Sequence, residues 1–203
     1  MIAVVDYGVG NLFSLCASLR AVGADVTVTD SPLELKKAHS IVLPGVGAFG
    51  DARRKLEQRE LIQPILAEVK QGKPLLGICL GMQLLFEKSE EYGTHRGLGL
   101  IRGDIEQIGK GTNFCEKIPH MGWNSLHFMR NSPIFRYVQE GEYVYYVHSY
   151  HGVRCAEDTV ATSDYGVTIT GAVQRDNVYG TQFHPEKSGK TGLNILRAFA
   201  ELR

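Results

Sequence analysis

The sequence predicts an α/β fold: a single domain with a mixed, mostly parallel central sheet, helices on both faces, and antiparallel strands in the C-terminal half. Three observations carry this reading. Short, almost wholly apolar runs recur at Ile2–Val5, Ser40–Leu43 and Leu75–Ile78, as strands buried on both faces require. Helical stretches lie between them, giving the βαβ alternation of a parallel sheet. From about Leu98 the texture changes to Gly-punctuated aromatic and β-branched segments, which read as antiparallel or mixed strands.

The elements follow in order. The first strand ends at Asp6 and the turn Tyr7-Gly8-Val9-Gly10. Asn11 then caps a helix whose apolar positions Leu12, Leu15, Cys16, Leu19 and Val22 share one face, with Gly23 as its stop. Asp25–Val28 alternates polar and β-branched residues, as a strand near a sheet edge does. Ser40–Leu43 stops at Pro44-Gly45-Val46-Gly47, and a helical stretch from Asp51 to about Lys70 follows, interrupted near Pro64. Leu75–Ile78 is the next buried strand. Further strands are expected at Leu126–Met129, Tyr143–His148, Thr159–Ser163, Val167–Val173 and Val178–Phe183, and a last helix over Gly189–Leu202. No repeat, low-complexity segment or linker divides the chain, so residues 1–203 are read as one domain.

Composition bounds the function classes. The 203 residues carry 22 Lys+Arg and 22 Asp+Glu, a formal net charge of zero, which argues against a nucleic-acid binder driven by phosphate contacts. No apolar run reaches the roughly 18 residues of a membrane helix, and the N-terminus lacks the basic region of a secretory signal. The cysteines Cys16, Cys79, Cys115 and Cys155 are far apart, unlike a zinc site or a disulfide framework. A reduced, cytoplasmic protein without metal or cofactor is the expectation.

The sharpest feature is Gly77-Ile78-Cys79-Leu80-Gly81. A buried strand runs into Cys79, glycines stand two residues to either side, and a helix begins at once, which is the geometry of a nucleophile elbow. Gly at both flanks removes the Cβ atoms that so tight a turn excludes. Helix N–H groups would face the sulfur and favour a thiolate or an oxyanion. A cysteine in an apolar run is equally a small core residue, and the turn alone leaves both readings open. His184-Pro185-Glu186 tips the balance. Pro185 biases His184 toward an extended conformation, in which residues i and i+2 point the same way about 6.6 Å apart. Glu186 can then orient one imidazole nitrogen and leave the other facing outward, which is the base-and-orienter half of a nucleophilic triad. The loop Pro44–Gly47 leaves an earlier strand at the same sheet edge, where its backbone N–H groups could face an oxyanion; an ordinary βα turn fits it equally well. Gly8-x-Gly10 with Asp30 imitates a dinucleotide fingerprint, but Phe13 stands where the third glycine belongs.

Together Pro44-Gly45-Val46-Gly47, Gly77-Ile78-Cys79-Leu80-Gly81-Met82-Gln83 and His184-Pro185-Glu186 resemble the class I (triad) glutamine amidotransferases. Asp6–Asn11, Pro119-His120-Met121-Gly122-Trp123-Asn124, His148-Ser149-Tyr150 and the extension to Lys187-Ser188 narrow the resemblance to the glutaminase subunits of imidazole glycerol phosphate synthases, over essentially the whole chain. The resemblance implies Cys79, His184 and Glu186 as catalytic residues, and an oxyanion site from the backbone of Leu80 and of the Gly45–Gly47 loop, at Val46 and Gly47. It implies Gly45, Gln83, Glu91, Ser149 and Tyr150 around glutamine, no cofactor and no metal. It further implies a heterodimer with a cyclase (synthase) subunit that receives the ammonia, faced by Asn11, Trp123 and Lys187. Rival expectations are the glutaminase of another ammonia-channelling synthase, such as a vitamin B6 synthase, a free-standing γ-glutamyl hydrolase, and a non-enzymatic docking module. The Pro119–Asn124 string speaks against the first two, and the intact triad against the last. Cys16, Cys115, Cys155, His95, His120 and His127 are expected to serve packing or solvation only.

Overall fold

The computed structural model describes residues 1–202. Its strands and helices alternate through the first half as β1 (Ile2–Val5), α1 (Leu12–Ala21), β2 (Val26–Thr29), α2 (Pro32–Lys37), β3 (Ser40–Leu43), α3 (Phe49–Gln58), α4 (Ile62–Lys70), β4 (Leu75–Ile78) and α5 (Leu80–Leu84). Short strands β5 (Lys88–Ser89), β6 (His95–Arg96) and β7 (Asp104–Gln107) follow, then β8 (His120–Ser125), β9 (His127–Phe128), β10 (Tyr143–His148) and β11 (Tyr150–Val153). The chain closes with β12 (Thr159–Asp164), β13 (Thr168–Arg175), β14 (Val178–Thr181) and α6 (Gly189–Ala200).

The central sheet runs β2-β1-β3-β4-β14-β13-β12-β9. Its first five strands are parallel, and β13, β12 and β9 are antiparallel additions. The apolar runs are explained by double burial. Ile2 and Val4 pack with Leu15 and Leu19 of α1 and Ile195 and Phe199 of α6, whereas Ala3 and Val5 pack with Leu35, Phe49, Leu56 and Ile65 from α2, α3 and α4. With side chains alternating across the strand, neither face can carry a polar residue cheaply. Asn11 caps α1 as expected, its side chain accepting the Ser14 N–H at 3.4 Å, and β2 lies at the sheet edge.

Several boundaries differ from those expected of the sequence. The helical stretch over 51–70 breaks at Arg59–Leu61, where Glu60 adopts φ 55°, and not at Pro64. Pro64 falls in the first turn of α4, where its missing N–H has no intrahelical acceptor to lose. The strand expected at Leu126–Met129 shrinks to the two-residue β9, which joins the central sheet at β12, and the strand before it, β8, which pairs with β10, is not expected from the sequence. A four-stranded sheet β11-β7-β5-β6, which no sequence pattern announces, flanks the cleft described below.

Candidate active site

Three neighbouring parallel strands build the site. β3, β4 and β14 lie side by side, so the segments that leave their C-terminal ends share one edge: Pro44–Gly47, Cys79, and His184. The register is pinned at Cys79 itself, because its N–H donates to the Thr181 carbonyl at 2.7 Å.

Cys79 holds φ 54° and ψ −111°, a conformation that L-residues disfavour, and α5 starts at the next residue. The flanking glycines are obligatory on steric grounds. A Cβ at Gly77 would stand 2.6 Å from the Gly81 carbonyl oxygen, and one at Gly81 only 1.8 Å from that of Leu43. A Cβ at Gly45 would be equally confined, 2.8 Å from both the Gly81 nitrogen and the Tyr7 hydroxyl. Strand, elbow and loop are therefore packed backbone against backbone.

His184 follows β14 in an extended conformation (φ −96°, ψ 99°), but the chain then turns into a 3-10 turn over Pro185–Lys187. Glu186 thus reaches its partner by a turn rather than along an extended segment, which corrects the sequence argument while keeping its contact: His184 Nδ1 and Glu186 Oε1 are 2.8 Å apart. Both side chains are 4% exposed. Glu186 Oε2 is buried and accepts no hydrogen bond, so His184 is the carboxylate's polar partner. Burial lowers the His184 pKa, but hydrogen bonds to the Cys79 sulfur and to Glu186, with the charges of both, outweigh it and raise the imidazole to about 10.

A cleft of about 360 Å³ opens above Cys79. Of the residues singled out from the sequence, Val46, Gly47, Leu80, Gln83, Glu91, Ser149, Tyr150 and His184 line it together with Cys79. Gly45 lies beneath, packed on α5. Gln83 is buried and its amide nitrogen donates to the Tyr150 carbonyl at 2.9 Å and to Gln182 Oε1 at 3.1 Å. Glu91 Oε2 accepts the Phe49 N–H at 2.6 Å, and burial pushes its carboxyl up. Trp123 and Lys187 meet around one ring: Trp123 stands edge-on to Tyr145 at 6.0 Å, with Lys187 Nζ 6.0 Å from the same ring. Lys187 also reaches the cleft. Asn11 stands at the start of α1. Asp30 is engaged by Arg59 at 2.9 Å, in keeping with a structural role.

Sequence reasoning missed two residues that touch this machinery. Gln182, fully buried, presents Nε2 3.7 Å from the Cys79 sulfur. Tyr7 donates its hydroxyl to the Pro44 carbonyl at 2.7 Å and braces the loop from below, its ionisation suppressed by burial and by Cys79. A lone buried glutamine or tyrosine just past a strand end carries no spacing signal. His120, expected to serve packing or solvation only, and His148 are both buried and hydrogen-bonded to each other. Among the described residues no cluster of three His, Cys, Asp or Glu could hold a metal ion, and no helix is long and apolar enough to cross a membrane.

The family model of glutamine amidotransferase class-I matches residues 3–202. The chain belongs to the class-I glutamine amidotransferases. Full-length relatives place this amidotransferase in a narrower family. It is 47% identical over 210 residues to the imidazole glycerol phosphate synthase subunit HisH of Syntrophotalea carbinolica, covering 100% of both chains. It is 50% identical over 202 residues to HisH of Geobacillus thermodenitrificans, covering 98% of this chain and 94% of that one. The fold recurs in solved structures at low identity. A glutamine amidotransferase superposes with a TM-score of 0.77 at 16% identity over 100% of both chains. PurLQS from Thermotoga maritima gives 0.74 at 22% identity, covering 98% of this chain and 96% of that one.

Proposed function

We propose that the protein is the glutaminase subunit of an imidazole glycerol phosphate synthase, and that Cys79, His184 and Glu186 hydrolyse glutamine. The observation that carries this is the alignment of Cys79, His184 and Glu186 at one end of β4 and β14, with Nδ1 of His184 taken by Glu186 at 2.8 Å and the His184 ring lining the same cleft as Cys79.

Glutamine enters the cleft with its carboxamide over Cys79. The thiolate attacks the amide carbon, and the oxyanion that forms takes N–H groups of Leu80 and of the Val46–Gly47 backbone. The C–N bond breaks as His184 delivers a proton to the leaving nitrogen, releasing ammonia and leaving a γ-glutamyl thioester on Cys79. Water then attacks the thioester. His184 takes its proton, and glutamate leaves with the thiol restored. Glu186 keeps the imidazole in the tautomer whose Nε2 faces sulfur and supports the imidazolium. At the other end of the substrate, Glu91 receives the ammonium group and the Ser149–Tyr150 bend the carboxylate. Gln83 fixes that bend through the Tyr150 carbonyl, and Gly45 keeps the loop close to α5.

The ammonia passes to a separate cyclase subunit in a cytoplasmic heterodimer. The segments that carry Asn11, Trp123 and Lys187 support this, since Phe13, Met121 and Trp123 are large apolar side chains left exposed there. No cofactor enters these steps. The deciding experiment is Cys79→Ala. The variant should lose glutamine hydrolysis by at least about 10³-fold and still bind the cyclase subunit. Undiminished hydrolysis would end the covalent mechanism, and an active parent that transfers no ammonia to the cyclase would end the subunit assignment.

A further inference from the structure

His120 and His148 take no part in the steps above, yet they are buried (2% and 6% exposed) and hydrogen-bonded in series. Their protons can be placed by chemistry alone. The Tyr150 carbonyl only accepts, so His148 Nδ1, 2.8 Å away, donates to it. Burial lowers both rings, His148 to about 3 and His120 to about 4, so both are neutral and each carries one proton. His148 Nε2 therefore accepts, and His120 Nδ1, 3.0 Å away, donates. His120 Nε2 is left to accept from Asn124 Nδ2 at 3.4 Å, an amide that also donates to the Asp164 carbonyl at 2.7 Å. One tautomer of each ring satisfies the whole series.

The two ends of the series give it meaning. At one end the Tyr150 carbonyl also takes Gln83 Nε2 at 2.9 Å, and the Ser149 carbonyl accepts the Ile108 N–H at 2.9 Å. The bend between β10 and β11 is thus held from three sides. At the other end is β8, whose side chains alternate: His120 and Asn124 point inward, and Met121 and Trp123, 64% and 55% exposed, point outward. The His120 ring cannot tilt freely, because it stacks on Tyr146 at 4.6 Å and on Tyr165 at 4.0 Å.

We infer that His120 and His148 are positioning residues, a rigid relay from the inner face of β8 to the Ser149–Tyr150 bend that holds this bend in place for the glutamine carboxylate. The inference rests on the proposed role of that bend in binding glutamine. It is tested by steady-state glutamine hydrolysis with the cyclase subunit present. His120→Phe keeps a flat ring between Tyr146 and Tyr165 but leaves His148 Nε2 buried without a donor. His120→Asn returns an N–H near the position of Nδ1 and loses the stacking. A relay requires the glutamine KM to rise about tenfold in His120→Phe with kcat little changed, and to return most of the way in His120→Asn. A filler role requires the reverse order, and either that order or a parental KM in His120→Phe overturns the inference. Should thermal melting show His120→Phe unfolded, His148→Phe against His148→Asn poses the same contrast at the Tyr150 carbonyl: the same order of KM values supports the relay, and the reverse order or a parental KM overturns it. A parent complex that does not hydrolyse glutamine would fail the proposed function itself, whereas an active parent with an unmoved KM in the phenylalanine variants would fail the relay alone.

Discussion

Gly81→Ala measures how rigid the elbow is. A Cβ at this position would stand 1.8 Å from the Leu43 carbonyl oxygen, and separations under 3.0 Å do not occur for real Cβ atoms, so the backbones must part by about 1.2 Å. Neither side yields easily. Leu43 sits in β3, hydrogen-bonded to β1 on one side and β4 on the other, and α5 is pressed onto Gly77. The φ of Gly81 is not in the left-handed region, so alanine meets a steric obstacle and no conformational one. The motion that relieves the clash displaces the elbow, and with it the Leu80 N–H proposed to meet the oxyanion. A misplacement of about 1 Å in a reacting centre costs about 10²-fold in rate, or about 2.7 kcal/mol of barrier. Overpacking should in addition lower stability by about 1–3 kcal/mol. The assay is kcat/KM for glutamine with the partner present, alongside a thermal melt. Gly72→Ala is the control: it has φ 92° and open space, and it lies outside the cleft, so it should lose about 1–2 kcal/mol of stability and no rate. A Gly81→Ala enzyme working at the parental rate would refute the reasoning, because the proposed oxyanion donor would then tolerate displacement.

Two further outcomes follow from the triad. Glu186→Gln keeps an oxygen for His184 Nδ1 but removes the charge that supports the imidazolium; kcat should fall by at least about 10²-fold with glutamine KM nearly unchanged, and a large KM effect instead would place Glu186 in substrate binding. The second concerns pH. His184 is raised in the folded protein from 6.5 to about 10, so its stabilising contribution is complete below about pH 6.5 and is lost as pH rises through about 10. Melting temperature should fall across that window, and the fall should be shallower in Cys79→Ala, which removes one of the two groups holding the proton; parallel curves for the two proteins would contradict the assignment.

Legibility in the sequence followed burial pattern. β1, β3 and β4 emerge with their boundaries intact because a strand covered on both faces admits almost no polar residue, so each short apolar run stands out from the turn that follows it. β10 is equally plain from its aromatic and β-branched run. The break between α3 and α4 is misplaced by sequence because the visible signal, Pro64, is harmless in a first turn, while the operative residue is a glutamate in a left-handed conformation that no composition rule flags. β5 and β6 are two residues each, too short to show any period. Within the site, Cys79 and its glycines are readable because the elbow is a local device. Gln182, Tyr7 and the pairing of His120 with His148 are not, because each is a polar contact between segments far apart in the chain.

The contact between Cys79 and His184 depends on one pairing that sequence leaves undetermined. β14 arrives as the third strand of an antiparallel run, and nothing in Val178–Thr181 says that its free edge will meet β4 in parallel. That choice brings residues 105 positions apart to neighbouring strand ends. It also tolerates no slip. Moving β14 by one residue against β4 would shift His184 by about 3.3 Å and turn its side chain to the opposite face of the sheet. Two local features guard the register. Gly180 pairs with Gly77, and a Cβ at Gly180 would stand 2.6 Å from Met82 Cγ, so any residue with a side chain slipped into this place would collide with α5. One step on, the Cys79 N–H is bonded to the Thr181 carbonyl at 2.7 Å, and a shifted strand would leave that buried donor unpaired. The elbow is therefore both the mount of Cys79 and the clamp that aligns His184 with it.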